Sequence, residues 1–466
     1  MSRFSITLDE LVAATGGTVV STVDEAFTGV TLDGRTARTG DIYFAIIGER
    51  HDGHEYAGQA VAAGCKALVV QRGRRAGGWA VTIVEVDDTR LAMGALARAI
   101  RRRASARVVA VTGSTGKTTT KELISAMLAG VAGPAAVLAT EGSLNNETGV
   151  PQTLLRLRAH HEFAVVEMGM RGLGQIDYLC QLAEPDLGVV VNAGSAHVGV
   201  VGSVEEIARA KSEVWARLPA HGVAVYPHGD ARLRTLALER GVPAERHATF
   251  GEEADATVQV QRVTARGAAG SDVELRARGR VLRFRVPLVG RHNVDNAACA
   301  LAVAVALNLE VLHATRGLEQ AAPARQRSEL AEIGGRHVLI DCYNANPTSM
   351  RAALSTLAEL RGAGRGVAVL GDMLELGSHE EEEHTRVGRL TAELGLHALV
   401  AVGERSRAAA RAASAAGLSH IVETDDPLQA ARVVASLTEP GDWILFKASR
   451  GMRLERVIEA LRGIVV

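Results

Sequence analysis

The sequence predicts an α/β protein of three domains, and three observations lead to this prediction. Its 466 residues are about three times the usual length of one domain. Short apolar strands alternate with helical segments along most of the chain. A glycine-rich loop near residue 113 joins a buried strand to a helix, as in domains that bind nucleotides. We therefore expect domains at residues 1–105, 106–318 and 319–466.

The first 105 residues have the pattern of a small α/β domain. Thr7 and Glu10 form a capping box that opens a short helix. The segments expected to follow are strand Val30–Leu32, strand Ile42–Ile46, helix Glu55–Ala63 and strand Ala67–Val70. The basic run at residues 101–103 marks the predicted boundary, and we interpret it as a solvated helix end.

The central region contains two kinds of strand. Phe163–Val166 and Leu187–Val191 are continuous apolar runs, which is typical of parallel strands covered on both faces. Thr257–Val263 and Val273–Val286 alternate apolar and polar residues, which predicts an antiparallel hairpin with one face in water. The alanine-rich helix Asn293–Leu307 closes this region. The prediction is a central parallel sheet of the P-loop ATPase type with a small antiparallel hairpin region.

The last region predicts a Rossmann-like, doubly wound domain. It begins after the turn at residues 322–325, where the strand and helix patterns resume. The expected strands are His337–Asp341, Gly366–Leu370, Leu399–Val402 and Trp443–Phe446.

Charge and composition exclude several classes of protein. With 52 basic and 53 acidic residues, the net charge of −1 gives no general field for nucleic acid or anionic lipid. Aromatic residues make up 3% of the chain, too few for base-stacking platforms. The sequence contains no run of eighteen apolar residues, so it predicts no membrane span. The four dispersed cysteines favour a reducing compartment. We expect a cytoplasmic monomer that acts on small molecules.

The strongest local motif is the loop that follows the strand at Val108. Free amide groups at the start of the next helix make an anion nest. Lys117 is expected to reach the β- and γ-phosphates, and the Thr118 hydroxyl to bind Mg²⁺. Two residues separate Gly113 from Gly116, where the standard motif has four. The expected ATP-binding residues of the loop are Gly113, Ser114, Thr115, Gly116, Lys117, Thr118 and Thr119.

Two residues after neighbouring strands are candidate metal ligands. Glu167 ends the strand that begins at Phe163, where P-loop enzymes place an acid for Mg²⁺. His197 follows the next strand and points to a second metal site at the same sheet edge. A structural ion pair at Glu167 and an ordinary surface or core histidine at His197 are the alternatives.

Four further stretches complete the pattern. They are LNNETGVPQTLL at residues 144–155, EMGMRGLGQI at 167–176, DCYNANPTSM at 341–350 and GDMLELG at 371–377. Together with the shortened loop GSTGKTTTK, they resemble the Mur ligase superfamily, ATP-dependent enzymes that form amide bonds in peptidoglycan synthesis. The resemblance covers nearly the whole chain. It implies an N-terminal domain for the UDP end of the substrate, a central ATPase domain and a C-terminal Rossmann-like domain.

The resemblance also implies roles for single residues. ATP would lie on residues 113–118, with one Mg²⁺ at Thr118 and Glu167 and a second near His197. Lys211 aligns with a lysine that becomes carbamylated and supports the second metal, although a solvated helix lysine is the alternative. The residues expected to contact the nucleotide from elsewhere in the chain are His292, Asn293, Asn296, Arg325, Asp341 and Asn344. Lys117, His197, Lys211 and Arg325 are the expected catalytic residues, and Arg325 has a plain turn arginine as its alternative.

The substrate residues follow from the same resemblance. The UDP-sugar side is assigned to Asp33, Arg35, Asn145, Asn146 and Thr148. Ser449 and Arg450 are assigned to the incoming dipeptide or to the free carboxylate of the peptide. The sequence departs from the family pattern at two positions. Gly34 stands where the family commonly has the serine of Asp-Ser-Arg, and Thr148 stands where an apolar residue is usual.

The motifs at residues 144–151 and 341–347 favour the member that adds D-alanyl-D-alanine to UDP-N-acetylmuramoyl-tripeptide. Whether the third residue of that peptide is meso-diaminopimelate or lysine is left open. A sibling ligase that adds one amino acid and a folylpolyglutamate synthase are the alternatives within the superfamily. A P-loop hydrolase or kinase without ligation would not need a third domain, and a non-catalytic module would not need Lys117, Glu167 and His197.

Overall fold

The structure is a computed structural model that describes residues 5–48, 51–74, 78–194, 199 and 202–465. Packing divides the chain into two units. The first comprises Met1–Ala110, Ala135–Gly169 and Gln175–Asp186. The second comprises Val111–Pro134, Met170–Gly174 and Leu187–Val466.

The N-terminal part of the first unit is a small α/β sheet, as the sequence predicts. Its elements are β1 (Ile6–Thr7), α1 (Leu8–Thr15), β2 (Thr18–Ser21), β3 (Ala26–Phe27), β4 (Gly29–Thr31), β5 (Asp41–Phe44), α2 (Ala57–Ala62), β6 (Ala67–Gln71), β7 (Thr82–Val86) and α3 (Thr89–Arg103). The strand order is β2-β7-β6-β5-β4, with β4 to β7 parallel and β2 antiparallel. Thr7 caps α1 with Glu10, which confirms the predicted capping box. Helix α2 begins two residues later than expected, because Gly53–Tyr56 forms a 3₁₀ turn.

The central part of the chain contributes elements to both units. They are β8 (Arg107–Thr112), α4 (Lys117–Ala132), β9 (Val137–Ala139), α5 (Gly149–Leu154), β10 (Phe163–Glu167), α6 (Gln175–Ala183), β11 (Leu187–Val190), α7 (Val204–Lys211), β12 (Val223–Pro227), α8 (Ala231–Glu239), β13 (His247–Gly251), β14 (Val258–Ala265), β15 (Ser271–Ala277), β16 (Arg280–Val286), α9 (Arg291–Ala306) and α10 (Val311–Glu319). In the first unit β10 pairs with β9 in parallel. In the second unit β11 to β14 pair in parallel.

The predicted hairpin is a three-stranded antiparallel region, so the prediction of two strands is wrong in number. Strands β14, β15 and β16 pair in antiparallel order. The expected strand Val273–Val286 is divided by a tight turn at Arg278 and Gly279, whose φ angles are 50° and 73°. Apolar and polar residues alternate on both sides of this turn, and the one sign of it in the pattern is the pair of adjacent apolar residues Val281 and Leu282.

The C-terminal region is a doubly wound sheet, which confirms the Rossmann-like prediction. Its elements are β17 (Glu329–Ile333), β18 (Arg336–Ile340), α11 (Pro347–Arg361), β19 (Gly366–Gly371), α12 (Glu380–Glu393), β20 (Ala398–Val402), α13 (Arg407–Ala415), β21 (His420–Thr424), α14 (Pro427–Leu437), β22 (Trp443–Lys447) and α15 (Glu455–Val465). The order is β17-β18-β22-β19-β20-β21, and only β17 pairs antiparallel. Helices α14 and α15 pack on one face and α11 to α13 on the other.

The described residues bear on the predictions about membrane spans and disulfide bonds. No helix in these parts of the chain is both long and apolar enough to cross a bilayer. Cys65, Cys180, Cys299 and Cys342 are all buried, and none of these four forms a disulfide bond.

Candidate active site

The phosphate loop has the strand–turn–helix geometry that the sequence predicts. Strand β8 leads into the loop, and α4 begins at Lys117, directly after Gly116. Gly116 has a φ of 76°, and a Cβ there would lie 2.8 Å from Oδ1 of Asn296. Only glycine fits this position without strain. The first amide groups of α4 therefore face the loop as donors for an anion.

Asn192, which the sequence analysis did not assign, holds the loop in shape. Its Oδ1 accepts hydrogen bonds from the amides of Ser114, at 3.1 Å, and Thr115, at 3.0 Å. Its Nδ2 donates to the carbonyl oxygen of Thr115 at 3.1 Å. The Ser114 hydroxyl donates to the carbonyl oxygen of Gly194 at 2.9 Å. Because Asn192 follows β11, its place at the carboxyl edge of a buried strand was the available sequence signal.

The side chains at the start of α4 differ in exposure. The Lys117 ammonium donates to the carbonyl oxygen of Gly113 at 2.8 Å, so it lies over its own loop. Thr118 is buried, and Thr119 is half-buried. The loop thus combines backbone amides, one lysine and one threonine hydroxyl, which are the groups that bind a nucleotide's phosphates and its Mg²⁺.

Lys211 ends α7 and is buried, with 1% of its surface exposed. Burial lowers the pKa of its amine well below the usual value of 10.5, and the positive charge of Lys117 lowers it further. The solvated-lysine alternative is therefore wrong. A lowered pKa favours the neutral amine, which is the nucleophilic form.

Asn293 and Asn296 form a buried amide network on α9. Nδ2 of Asn296 donates to Oδ1 of Asn293 at 3.0 Å, and Nδ2 of Asn293 donates to the carbonyl oxygen of Val289 at 2.8 Å. Oδ1 of Asn296 also accepts from the Thr120 hydroxyl at 3.2 Å. Asn296 thus braces α4, and Asn293 holds Asn296 in place. Burial lowers the pKa of the neighbouring His292, which favours its neutral form.

Asp341 and Asn344 lie at the end of β18, beside a buried lysine. The ammonium of Lys447, which is 1% exposed, contacts the Asp341 carboxylate at 2.5 Å and the Asn344 carbonyl oxygen at 3.2 Å. The Asp341 carboxylate also accepts from the amide of Ser328 at 3.2 Å. Asn344 is exposed. Lys447 is a second residue that sequence reasoning missed, although it ends strand β22 as a charge within an apolar run.

The predicted arginine has a neighbour in the same turn. Arg325 is exposed, whereas Arg327 is half-buried with its guanidinium carbon 4.2 Å from the centre of the Tyr343 ring. The intervening Gln326 has a φ of 59°, and Ser328 has a φ of 49°. This backbone and the stacked ring hold the Arg327 guanidinium in place. Arg327 is thus a second candidate for the role predicted for Arg325.

The two residues assigned to the dipeptide differ in their surroundings. Ser449 is 3% exposed, and its Oγ accepts from the amide of Leu374 at 2.9 Å. Its hydroxyl also donates to the carbonyl oxygen of Ala345 at 3.4 Å, so Ser449 joins the motif segments 341–350 and 371–377. Arg450 is exposed and pairs with Glu455 at 2.7 Å.

In the first unit the structure brings the predicted residues together in two places. Asp33 and Arg35 form an ion pair of 2.7 Å, which lowers the pKa of Asp33 to about 2 through the hydrogen bonds from Arg35. Arg35 remains 76% exposed at its side chain, as expected of a residue that meets a ligand. Oδ1 of Asn146 accepts from the Thr148 hydroxyl at 3.1 Å and from the amide of Gly149 at 2.9 Å, so it orders the turn before α5.

Glu167 ends β10, as predicted, and is 1% exposed. Its Oε1 accepts from Nδ2 of Asn145 at 2.7 Å, and its amide donates to the Thr140 hydroxyl at 3.0 Å. A carboxylate this deeply buried is stable only with hydrogen bonds or positive charge around it. His197 lies outside the described residues.

The residues present fit a magnesium ion rather than a transition metal. The Thr118 hydroxyl of the second unit and the Glu167 carboxylate of the first unit each offer the hard oxygen that Mg²⁺ prefers. In the ranges that the structure describes, no group of three or more His, Cys, Asp or Glu side chains could hold a metal ion.

Three stretches of the chain match domains of one enzyme family. Residues 111–304 match the Mur ligase middle domain, and residues 326–450 match the Mur ligase glutamate ligase domain. Residues 26–101 match the Mur ligase family catalytic domain. These matches confirm the three-domain α/β fold, whereas the exact limits at 105 and 318 stay a prediction.

Similar proteins cover nearly the full length. The UDP-N-acetylmuramoyl-tripeptide–D-alanyl-D-alanine ligase of Bacillus subtilis is 36% identical over 93% of this chain and 93% of its own. The crystal structure of MurF from Acinetobacter baumannii has a TM-score of 0.88 at 34% identity, covering 99% of this chain and 100% of that chain. The MurF ligase of Thermotoga maritima, solved in complex with ADP, has a TM-score of 0.80 at 28% identity, covering 94% and 97%.

Proposed function

Because the chain belongs to the Mur ligase family, we propose that it is the member that joins D-alanyl-D-alanine to UDP-N-acetylmuramoyl-tripeptide. The observation that carries this proposal is the 36% identity to a ligase of that name along 93% of both chains. The products are UDP-N-acetylmuramoyl-pentapeptide, ADP and phosphate. This reaction makes a precursor of peptidoglycan, and it uses ATP because amide formation in water is unfavourable.

The reaction begins with the transfer of the γ-phosphoryl group of ATP to the terminal carboxylate of the tripeptide. An oxygen of that carboxylate attacks phosphorus, ADP leaves, and an acyl phosphate forms. The neutral amine of D-alanyl-D-alanine then attacks the acyl carbon, and phosphate leaves from the tetrahedral intermediate. The amine loses its proton in this step, and an amide bond replaces the acyl phosphate bond.

The loop at residues 113–119 supports the first step. Its amides and the Lys117 ammonium offset the negative charge that gathers when a carboxylate approaches the γ-phosphate. Thr118 and Glu167 are the proposed Mg²⁺ ligands, and His197 is proposed for a second Mg²⁺. When bound, Mg²⁺ neutralises phosphate charge and orients the phosphoryl group.

Lys211 is the proposed site of a carbamate. Its neutral amine attacks the carbon of CO₂, loses a proton and becomes an anion that supports the second Mg²⁺. The lowered pKa of this buried lysine supports the proposal, because only the unprotonated amine reacts with CO₂.

The remaining contacts are assigned by position in the fold. We assign Asn293, Asn296, His292, Asp341 and Asn344 to the nucleotide side, where the amide network and the Asp341–Lys447 pair hold their segments in place. Arg325 or its stacked neighbour Arg327 stabilises γ-phosphate charge. The exposed Arg35, paired with Asp33, is assigned to the UDP end with Asn146 and Thr148, and Ser449 and Arg450 to the dipeptide end. We also propose that the enzyme is a cytoplasmic monomer with domains at residues 1–105, 106–318 and 319–466.

A donor and acceptor panel tests this function. Purified protein with ATP and Mg²⁺ should release phosphate only when both UDP-N-acetylmuramoyl-tripeptide and D-alanyl-D-alanine are present. Turnover with single amino acids would instead identify a sibling ligase. Turnover with a folate and glutamate would identify a folylpolyglutamate synthase, and phosphate release without any amine would identify a hydrolase.

A further inference from the structure

The side chain of Asn145 points at a carboxylate rather than at open solvent. Its Nδ2 donates to Oε1 of Glu167 at 2.7 Å, within the length of a charge-assisted hydrogen bond. We propose that Asn145 is a positioning residue that fixes the Glu167 carboxylate for Mg²⁺, and that Gly169 is the residue that makes room for it. This inference rests on the proposed function only through the metal at Glu167.

The backbone of Asn145 is fixed on the same segment as its side chain. Its carbonyl oxygen accepts from the amide of Gly169 at 2.7 Å, and its amide donates to the carbonyl oxygen of Ser143 at 2.7 Å. Asn145 is therefore bonded to Gly169 through its backbone and to Glu167 through its side chain. Because the backbone is held on both sides, the side chain reaches Glu167 from a fixed position.

Gly169 is needed for the space that Asn145 occupies. A Cβ at this position would lie 3.0 Å from Oδ1 and 3.1 Å from Cγ of Asn145. These distances are shorter than ordinary van der Waals contact, so an alanine would require the Asn145 side chain to shift by a few tenths of an ångström. No unusual backbone angle demands glycine here, so the side-chain approach is the reason for it.

The turn that carries Asn145 is closed at its other end. Oδ1 of Asn146 accepts from the amide of Gly149, where a Cβ would lie 2.3 Å from the carbonyl carbon of Leu144. On the other side, the Thr140 hydroxyl accepts from the amide of Glu167 at 3.0 Å. Both partners of the Asn145–Glu167 bond therefore start from fixed backbone.

This geometry gives Asn145 a different task from the substrate contact predicted for it. A carboxylate that binds a metal is commonly oriented by a neighbouring hydrogen-bond donor, and the loss of that donor weakens metal binding by about 10- to 100-fold. A residue that only contacts the UDP substrate would instead raise the KM of that substrate and leave metal binding unchanged.

The test measures metal binding directly. Mn²⁺, used as a paramagnetic probe for Mg²⁺, is titrated into the enzyme–ADP complex and followed by electron paramagnetic resonance. Asn145→Ala and Gly169→Ala should each weaken Mn²⁺ binding by about tenfold or more. Their Mg²⁺ concentrations for half-maximal ligation should rise in parallel, while the KM for the UDP substrate changes less than about threefold. The variant that carries both Asn145→Ala and Gly169→Ala should bind Mn²⁺ about as tightly as whichever single variant binds it less tightly.

Two controls separate this inference from general damage. Gln181→Ala removes another amide-to-carboxylate bond, from Gln181 to Asp177 at 3.0 Å on α6, and should bind Mn²⁺ like the wild type. Glu167→Gln should weaken Mn²⁺ binding, and adding Asn145→Ala to it should have no further effect. Wild-type Mn²⁺ binding in both Asn145→Ala and Gly169→Ala, or in Glu167→Gln, would overturn the inference. Binding of Mn²⁺ to the enzyme–ADP complex needs no D-alanyl-D-alanine. The titration therefore tests the role of Asn145 even if the donor and acceptor panel shows no ligase activity.

Discussion

At the scale of single residues, Lys117 and Lys211 show how one charge can serve two purposes. Lys117 is half-buried and lies over the phosphate loop, where its ammonium donates to the carbonyl oxygen of Gly113. Burial lowers the pKa of Lys211, and the charge of Lys117 lowers it further. The same cation thus favours phosphate binding and adds to the preference of a second lysine for its neutral form.

Replacing Lys117 by alanine should lower kcat on the order of 10³-fold, because no other group replaces its charge at the phosphates. Steady-state phosphate release measures this loss, and circular dichroism checks that the fold is kept. Lys66→Ala is the control, since Lys66 is a half-exposed lysine whose ion pair is with Asp24. Near wild-type turnover of Lys117→Ala would show that the assigned role is wrong.

Lys211 gives a prediction about pH. Because folding lowers its pKa, the unfolded chain binds the extra proton between that lowered value and 10.5. In protein freed of CO₂, the free energy of unfolding should therefore rise with pH across this window and be lost as pH falls through it. Chemical denaturation of the wild type and of Lys211→Met at several pH values measures the difference.

The same residue should react with CO₂ when the pH is high enough to keep its amine neutral. A ¹³C resonance of a carbamate should appear with ¹³C-bicarbonate in the wild type and be absent from Lys211→Met. A wild-type stability profile parallel to that of the methionine variant, with no carbamate signal, would contradict the lowered pKa and the proposed modification together.

At the scale of elements, α4 depends on its contacts with distant parts of the chain. Asn192 braces the loop before it across 78 residues of sequence, and Asn296 bonds to Thr120 across 176 residues. The motif could be predicted from the sequence, because strand, glycines, lysine and threonine are adjacent. The braces could not, because the motif does not specify which distant amide meets the loop.

Gly116 should be essential to this element for two reasons. Its φ of 76° costs a residue with a side chain about 1–3 kcal/mol, and its Cβ would contact Asn296. Gly116→Ala should therefore destabilise the protein and also weaken ADP binding by more than about tenfold, as measured by calorimetry.

Gly133→Ala is the matched control at the other end of α4. Gly133 has a φ of 88° with nothing within 4 Å of a built Cβ. It should lose stability by a similar amount without losing ADP affinity. Equal ADP affinity in the two variants would mean that the shape of the loop at Gly116 does not govern nucleotide binding.

At the scale of the whole molecule, the sequence predicted the α/β class and the C-terminal doubly wound sheet. Apolar runs and helical periodicity are local, so they are visible without coordinates. Strand β12 was missed because it is a short apolar run beside a helix pattern, and β13 because only Ala248 and Phe250 of its five residues are apolar. Arg327 and Lys447 were missed because their importance depends on contacts with Tyr343 and Asp341, which are not their neighbours in sequence. Lys447 and Asp341, for example, lie 106 residues apart.

The most direct measurement of the central claim follows the oxygen atoms of the tripeptide. UDP-N-acetylmuramoyl-tripeptide labelled with ¹⁸O in its terminal carboxylate is incubated with ATP, Mg²⁺ and D-alanyl-D-alanine. If an acyl phosphate forms, each released phosphate should carry one ¹⁸O atom, and the new amide should keep the other. Unlabelled phosphate beside a fully formed pentapeptide would contradict the account.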